Sequence, residues 1–257
     1  MIEVKSITIP QLTGDIVRRA YIYVPDFWAE DRRRRFPVLY MFDGHNVFFD
    51  EDATYGKSWG MLEYLEKTKT PLIVAAVECS HLPEEGEACS RLSEYSPFDV
   101  DDEYWGHIKG RGKITMDWLT REFKPFVDEN YPTIPDRRHT FIAGSSMGGL
   151  MTVYALMEYN DIFSRGAALS PWFELSPDDV IKMIKDAKLK RTDLYMDFGK
   201  RELRNYNIKE NFLKVSEALY RKGVMLTCRI VPQGEHNEAS WEKQIPVFMK
   251  VLFYGND

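Results

Sequence analysis

The chain opens with two stretches of alternating apolar and polar residues, 2–9 and 16–24, separated by Gln11-Leu12-Thr13-Gly14-Asp15. Alternation at period two gives a strand one apolar face, and a short polar break containing glycine joins two such strands as an antiparallel pair. After residue 37 the pattern changes to short continuous apolar runs at 38–42, 72–77, 140–143, 166–169, 194–198 and 226–231. Runs without alternation suit strands covered on both faces, as in a parallel sheet between helices.

Helical spacing fills the gaps between these runs. Leu119, Phe123, Phe126 and Val127 fall on one face of a helix, and so do Ile208, Phe212, Val215 and Leu219, with Gly223 placed to end that helix. Ile245, Phe248, Met249 and Leu252 stripe a final helix. Pro125 and Pro246 fall inside two of these patterns, where the missing N–H predicts a kink or a displaced start. The stripes read as core packing. With no repeat, low-complexity tract or linker, residues 1–257 are expected to form one α/β domain.

One long segment, 79–113, shows neither period. It is acidic (Glu84, Glu85, Glu87, Asp99, Asp101, Asp102, Glu103) and also holds Tyr95, Pro97, Phe98, Tyr104 and Trp105. It follows the strand at 72–77 and so leaves the sheet at its carboxyl end, where open α/β sheets bind ligands. It is expected to be a structureless, substrate-shaping insertion on the rim of the site, with an idle surface loop as the alternative.

Composition removes several classes. At 44% hydrophobic and 29% charged, the chain is that of an ordinary folded protein. A net charge of -6 argues against a nucleic-acid partner, and Arg32-Arg33-Arg34-Arg35, directly after Glu30-Asp31, reads as a solvated turn. Cys79, Cys89 and Cys228 are too few and too scattered for a disulfide framework. The N-terminus lacks a secretion-signal pattern and no apolar run is long enough to span a membrane, so a soluble cytoplasmic protein with no membrane partner is expected. No metal-binding spacing, Walker sequence or dinucleotide fingerprint occurs, and neither a cofactor nor a metal is expected.

The chemistry concentrates at Gly144-Ser145-Ser146-Met147-Gly148, between the strand at 140–143 and an apolar helical run from Gly149 to Met157. Gly-x-Ser-x-Gly in strand–turn–helix context exposes the serine at a sharp bend, which makes Ser146 the candidate nucleophile. A serine hydroxyl needs a base, and the base needs an orienting carboxylate. His236 alone among the histidines lies after Ser146, in a loop past the last strand. The acid is expected in Asp197-Phe198-Gly199-Lys200-Arg201-Glu202, where Glu202 lies beyond the glycine turn and Asp197 is the alternative within the strand. Oxyanion donors are expected from the backbone N–H of Met147 and of His45, the latter in the turn after residues 38–42. The His45 imidazole is left between a substrate contact and a surface role. Trp172 and Trp241 are candidate pocket walls, with ordinary core burial as the alternative.

Five segments together resemble the esterase D family of α/β-hydrolases: Pro37 to Asn46, Arg91 to Pro97, Gly144 to Gly149, Asp197 to Glu202 and Gly234 to Trp241. In order, they are similar to that family's oxyanion loop, active-site rim, nucleophile elbow, acid loop and histidine loop. The resemblance implies an α/β-hydrolase fold: a mostly parallel central sheet opened by an antiparallel pair, with helices on both faces. It implies a serine esterase acting through an acyl-enzyme on a small-molecule ester, with acetylated or feruloylated sugars among the candidates. Acyl transfer by the same serine and a non-catalytic ester- or carbohydrate-binding module are the alternatives, and assembly into a homo-oligomer stays open.

Overall fold

The computed structural model describes residues 1–83, 89–203 and 206–254. The opening pair forms as β1 (Ile2–Thr8) and β2 (Val17–Tyr23), antiparallel with Ile2 opposite Tyr23. The break between them holds a single helical turn, α1 (Pro10–Thr13), with its proline at the first position, where the missing N–H has no intrahelical partner to lose. Then follow β3 (Val38–Met41), α2 (Met61–Thr68), β4 (Ile73–Val77), α3 (Arg91–Glu94), the hairpin β5 (Val100–Asp102) and β6 (Gly106–Ile108), α4 (Gly112–Trp118) and α5 (Lys124–Asn130). The second half alternates strictly: β7 (Thr140–Ser145), α6 (Met147–Glu158), β8 (Arg165–Leu169), α7 (Pro177–Asp186), β9 (Asp193–Gly199), α8 (Tyr206–Arg221), β10 (Met225–Val231), then α9 (Glu238–Glu242) and α10 (Ile245–Tyr254).

The eight-stranded sheet has the order β1-β2-β4-β3-β7-β8-β9-β10. β2 pairs antiparallel with β4, and every pair beyond it is parallel. This is the mostly parallel α/β-hydrolase architecture expected from the sequence. Each apolar strand feeds both faces. Val38, Tyr40 and Phe42 pack with the α4–α8 side, while Leu39 and Met41 pack with Met61 and Leu65 of α2 and Phe248 and Leu252 of α10. That two-sided burial is why these strands carry no alternation.

Two expectations need correction. The stripe Leu119, Phe123, Phe126 and Val127 is not one regular helix, because a π-helical turn over Leu119–Phe123 separates α4 from α5. Its extra residue lets the N–H of Lys124 reach the carbonyl of Leu119 just before Pro125, which has no N–H to give. Pro246 takes the milder course and sits as the second residue of α10. The segment 79–113 is not structureless in its described part, since it holds α3, the β5–β6 hairpin and the start of α4. Its residues Glu84, Glu85 and Glu87 lie outside the described residues.

Candidate active site

Ser146 stands between β7 and α6 with φ 57 and ψ -122, a conformation that costs a side-chain-bearing residue roughly 1–3 kcal/mol. The surroundings enforce it. Its N–H donates to the Leu169 carbonyl at 3.0 Å, and its carbonyl accepts from the N–H of Trp172 at 3.0 Å. The flanking glycines serve close approach, because a β-carbon on Gly144 would lie 2.6 Å from the carbonyl carbon of Gly148. Met147 opens α6, so the helix leaves its N–H without an intrahelical acceptor at the base of the serine.

On one side of Ser146, β9 and β10 lead into the loops that carry Glu202 and His236. Nδ1 of His236 lies 2.6 Å from Oε2 of Glu202. Oε1 of Glu202 accepts from the N–H of Gly199 at 2.9 Å and from the Ser170 hydroxyl at 2.8 Å, so the carboxylate is oriented before it meets the imidazole. The Ser170 oxygen in turn accepts from Nε1 of Trp241 at 3.0 Å. The two loops touch through glycines. A β-carbon on Gly199 would lie 2.4 Å from the carbonyl carbon of Gly234, and backbone there cannot yield cheaply.

Asp197 is turned elsewhere. Its Oδ2 accepts from the Tyr195 hydroxyl at 2.6 Å and the residue is 1% exposed. Burial raises its carboxyl to about 6, with the Tyr195 hydrogen bond opposing that rise. Of the two carboxylates considered for the acid, Glu202 is the one bonded to His236.

On the other side lies the turn after β3. Asp43 adopts a left-handed conformation (φ 55, ψ 51) and leads into a 3-10 turn over Gly44–Asn46. The turn bonds the N–H groups of Asn46 and Val47, leaving that of His45 without a partner inside it. Gly44 presses on β4, where a β-carbon would meet the Ala76 carbonyl carbon at 2.7 Å. The His45 imidazole is buried rather than on the surface: its Nε2 lies 3.0 Å from Oγ1 of Thr54, and burial lowers its pKa. Asp43 receives the fork of Arg91, Nε at 2.7 Å and Nη2 at 2.8 Å. Burial pushes the Asp43 carboxyl up, but the Arg91 charge and hydrogen bonds outweigh it and hold it below the usual carboxylate range.

Ser146, His236, His45, Asp43, Arg91 and Trp241 line a common cavity of about 340 Å³, within the range of small-molecule sites. Ser146 and His236 both line it, with no hydrogen bond between their side chains. Trp172 is not in that cavity. It lines a second one of about 400 Å³ with Phe198 and Ile208, reached past His236, whose ring it meets edge-on at 6.0 Å. Trp241 is 5% exposed and packs between His236 and Trp59.

Two groups of metal-type donors occur among the described residues, Asp43–His45–Cys79 and His45–Glu78–His81. In each, the carboxylate already serves an arginine: Asp43 holds Arg91, and Glu78 holds Arg19 at 2.7 Å. A divalent cation would have to sit against a guanidinium, so neither donor set fits one well. Among the described residues no helix is long and apolar enough to cross a membrane.

A mostly parallel eight-stranded sheet with a strained serine at the carboxyl end of a central strand defines an α/β-hydrolase. Residues 15–252 match the "Putative esterase" family, and the chain belongs to that family of carboxylic-ester hydrolases. It is 25% identical over 215 residues to the uncharacterised protein YbbA of Bacillus subtilis (strain 168), covering 80% of this chain and 79% of that one. Among solved structures it is similar to a ferulic acid esterase (TM-score 0.69, 18% identity, 98% of this chain and 97% of that one). It is also similar to the siderophore hydrolase EstA of Aspergillus nidulans (TM-score 0.70, 16% identity, 98% and 95%).

Sequence reasoning missed Ser170 and the Asp43–Arg91 pair. Ser170 carries no local motif; its mark is a positive φ of 43, visible only in three dimensions. Arg91 was legible as part of a rim segment, but its partner lies 48 residues away.

Proposed function

We propose that the protein hydrolyses small carboxylic esters through an acyl-enzyme formed on Ser146. His236 takes the hydroxyl proton as the oxygen attacks the ester carbonyl, and Glu202 fixes its tautomer and steadies the imidazolium. The N–H groups of Met147 and His45 receive the developing oxyanion. His236 then protonates the departing alcohol, and water brought in by the same imidazole releases the acid. The observation that carries this reading is the 2.6 Å contact of Glu202 with His236, which lines the same cavity as Ser146.

The second cavity gives the substrate's aromatic portion a place beside His236, against Trp172, Phe198 and Ile208, with the charged Arg201, Glu202 and Glu235 completing its lining. An aromatic acyl group fits that wall, in keeping with the ferulic acid and siderophore names of the structural neighbours. The chemistry is tested with p-nitrophenyl acetate and a fluorophosphonate probe. The wild type is expected to turn over the ester and to be labelled on Ser146; Ser146→Ala is expected to lose both. Undiminished turnover by Ser146→Ala would sink the reading. Release of free acid in the presence of an added sugar acceptor distinguishes hydrolysis from acyl transfer.

A further inference from the structure

The rim segment carries an arginine that the reaction as written does not use. Arg91 begins α3, whose N-cap Ser90 accepts from the N–H of Ser93. The far end of this short helix is tied down by Glu94, buried at 1% exposure. Its carboxylate takes Nη1 of Arg18 on β2 at 2.7 Å and the N–H of Ser80 at 3.0 Å. The next residue, Tyr95, packs edge-on against Phe42 at 5.1 Å, and its hydroxyl accepts the N–H of Asp43 at 3.2 Å. One short segment therefore grips Asp43 twice, at its carboxylate through Arg91 and at its backbone through Tyr95.

Asp43 is the residue that needs gripping. A side-chain-bearing residue keeps φ 55 only where its surroundings over-determine it. From Asp43 the chain runs straight into Gly44 and His45. Contact of Gly44 with Ala76 stops that turn from moving toward β4, and the Arg91 fork ties down the residue that begins it. A bidentate guanidinium–carboxylate pair fixes direction as well as distance, which a single charge does not. Oxyanion donors help only when already aimed, and a misplacement of about 1 Å costs on the order of 100-fold in rate.

We propose that Arg91 is a positioning residue: its fork on Asp43 locks the left-handed turn and thereby aims the His45 N–H at the oxyanion. The inference rests on the assignment of Ser146 and the His45 N–H made above. It places in the rim segment a determinant of rate, where an insertion that only shapes substrate would act on affinity.

The full-length chain is assayed with p-nitrophenyl acetate, after Ser146→Ala has been run. Full turnover by Ser146→Ala removes the underlying reading; its inactivity leaves the Arg91 results to bear on this proposal alone. Arg91→Ala is expected to lower kcat on the order of 100-fold with KM changed less than about threefold. The inhibition constant of phenylboronic acid, which mimics the tetrahedral oxyanion, should rise by a similar factor. Added guanidinium should restore about tenfold, and Arg91→Lys, a point charge without a fork, should fall between the two. A raised KM at unchanged kcat, unchanged kinetics, or a loss that guanidinium does not relieve overturns the proposal. Should Arg91→Ala fail to fold, Asp43→Asn carries the test, because asparagine tolerates the left-handed turn while losing the charged fork. Loss in kcat at constant KM is again the expected result, and an effect on KM alone overturns it.

Discussion

The two sides of Ser146 are built in opposite ways. The Glu202–His236 side comes from the ends of adjacent parallel strands, β9 and β10, and leaves the His236 side chain 36% exposed. The Asp43–His45 side is buried, left-handed in its backbone, and clamped by a segment half a hundred residues downstream. The difference follows from what each side is asked to do in the proposed reaction. An imidazole that passes a proton first to an alcohol and then from water must reorient and meet solvent. A backbone N–H that receives an oxyanion works by not moving.

This contrast breaks first at His236. His236→Ala is expected to cut kcat by 10⁴-fold or more, measured with p-nitrophenyl acetate, since nothing else bonded to Glu202 is positioned to replace the base. Glu202→Gln should cost on the order of 10²–10⁴-fold in kcat while leaving fluorophosphonate labelling detectable, whereas Asp197→Asn should stay within about tenfold. Equal losses from the two would mean that the carboxylates share the role. Next, Gly199→Ala pushes a β-carbon into the Gly234 backbone, and a drop of about 1–3 kcal/mol in unfolding free energy is expected by denaturant titration. A smaller change in rate is expected from Ser170→Ala, a loss of roughly three- to tenfold in kcat: it removes one of the two hydrogen bonds on Oε1 of Glu202, and it also leaves the buried Nε1 of Trp241 without its acceptor, lowering the unfolding free energy by about 1–3 kcal/mol.

The smallest effect concerns Asp197 and pH. Its folded pKa, raised from 3.8 to about 6, means that the folded chain holds a proton that the unfolded chain releases sooner. The stability this proton confers is complete below pH 3.8 and is lost as pH rises to about 6. Asp197→Asn keeps an acceptor for Tyr195 and cannot ionise, so its Tm relative to wild type should rise between pH 4 and pH 7. A constant Tm difference across that range would show Asp197 ionised throughout.

Much of this was legible along the chain. Continuous apolar runs marked the parallel strands because residues covered on both faces have no polar side to alternate with. The Ser146 elbow was legible because a strand, a tight turn and a helix lie within about twenty residues and each leaves a local imprint. Gly223 reads equally well, ending α8 with φ 87. The segment 79–113 was misread for the converse reason. A four-residue helix and three-residue strands are too short for a period to show, and α3 is held by distant partners, Arg18, Ser80 and Asp43. The π-turn before Pro125 was half legible, since the proline announced a disturbance but not its form.

The sequence by itself determined the class of sheet, the strand–turn–helix that holds Ser146, and the order in which the Glu202 and His236 loops follow it. Those features are local, or depend only on the alternation of strand and helix, and local geometry is written in neighbouring residues. Tertiary structure decided which carboxylate meets His236. Asp197 and Glu202 are five residues apart and chemically alike, and only the contact of the Gly199 and Gly234 backbones brings Glu202 to the imidazole while Tyr195 holds Asp197 away. It also decided that an arginine of the rim holds the turn before His45, because a charge pair between residues 43 and 91 exists only once the sheet has set their elements side by side.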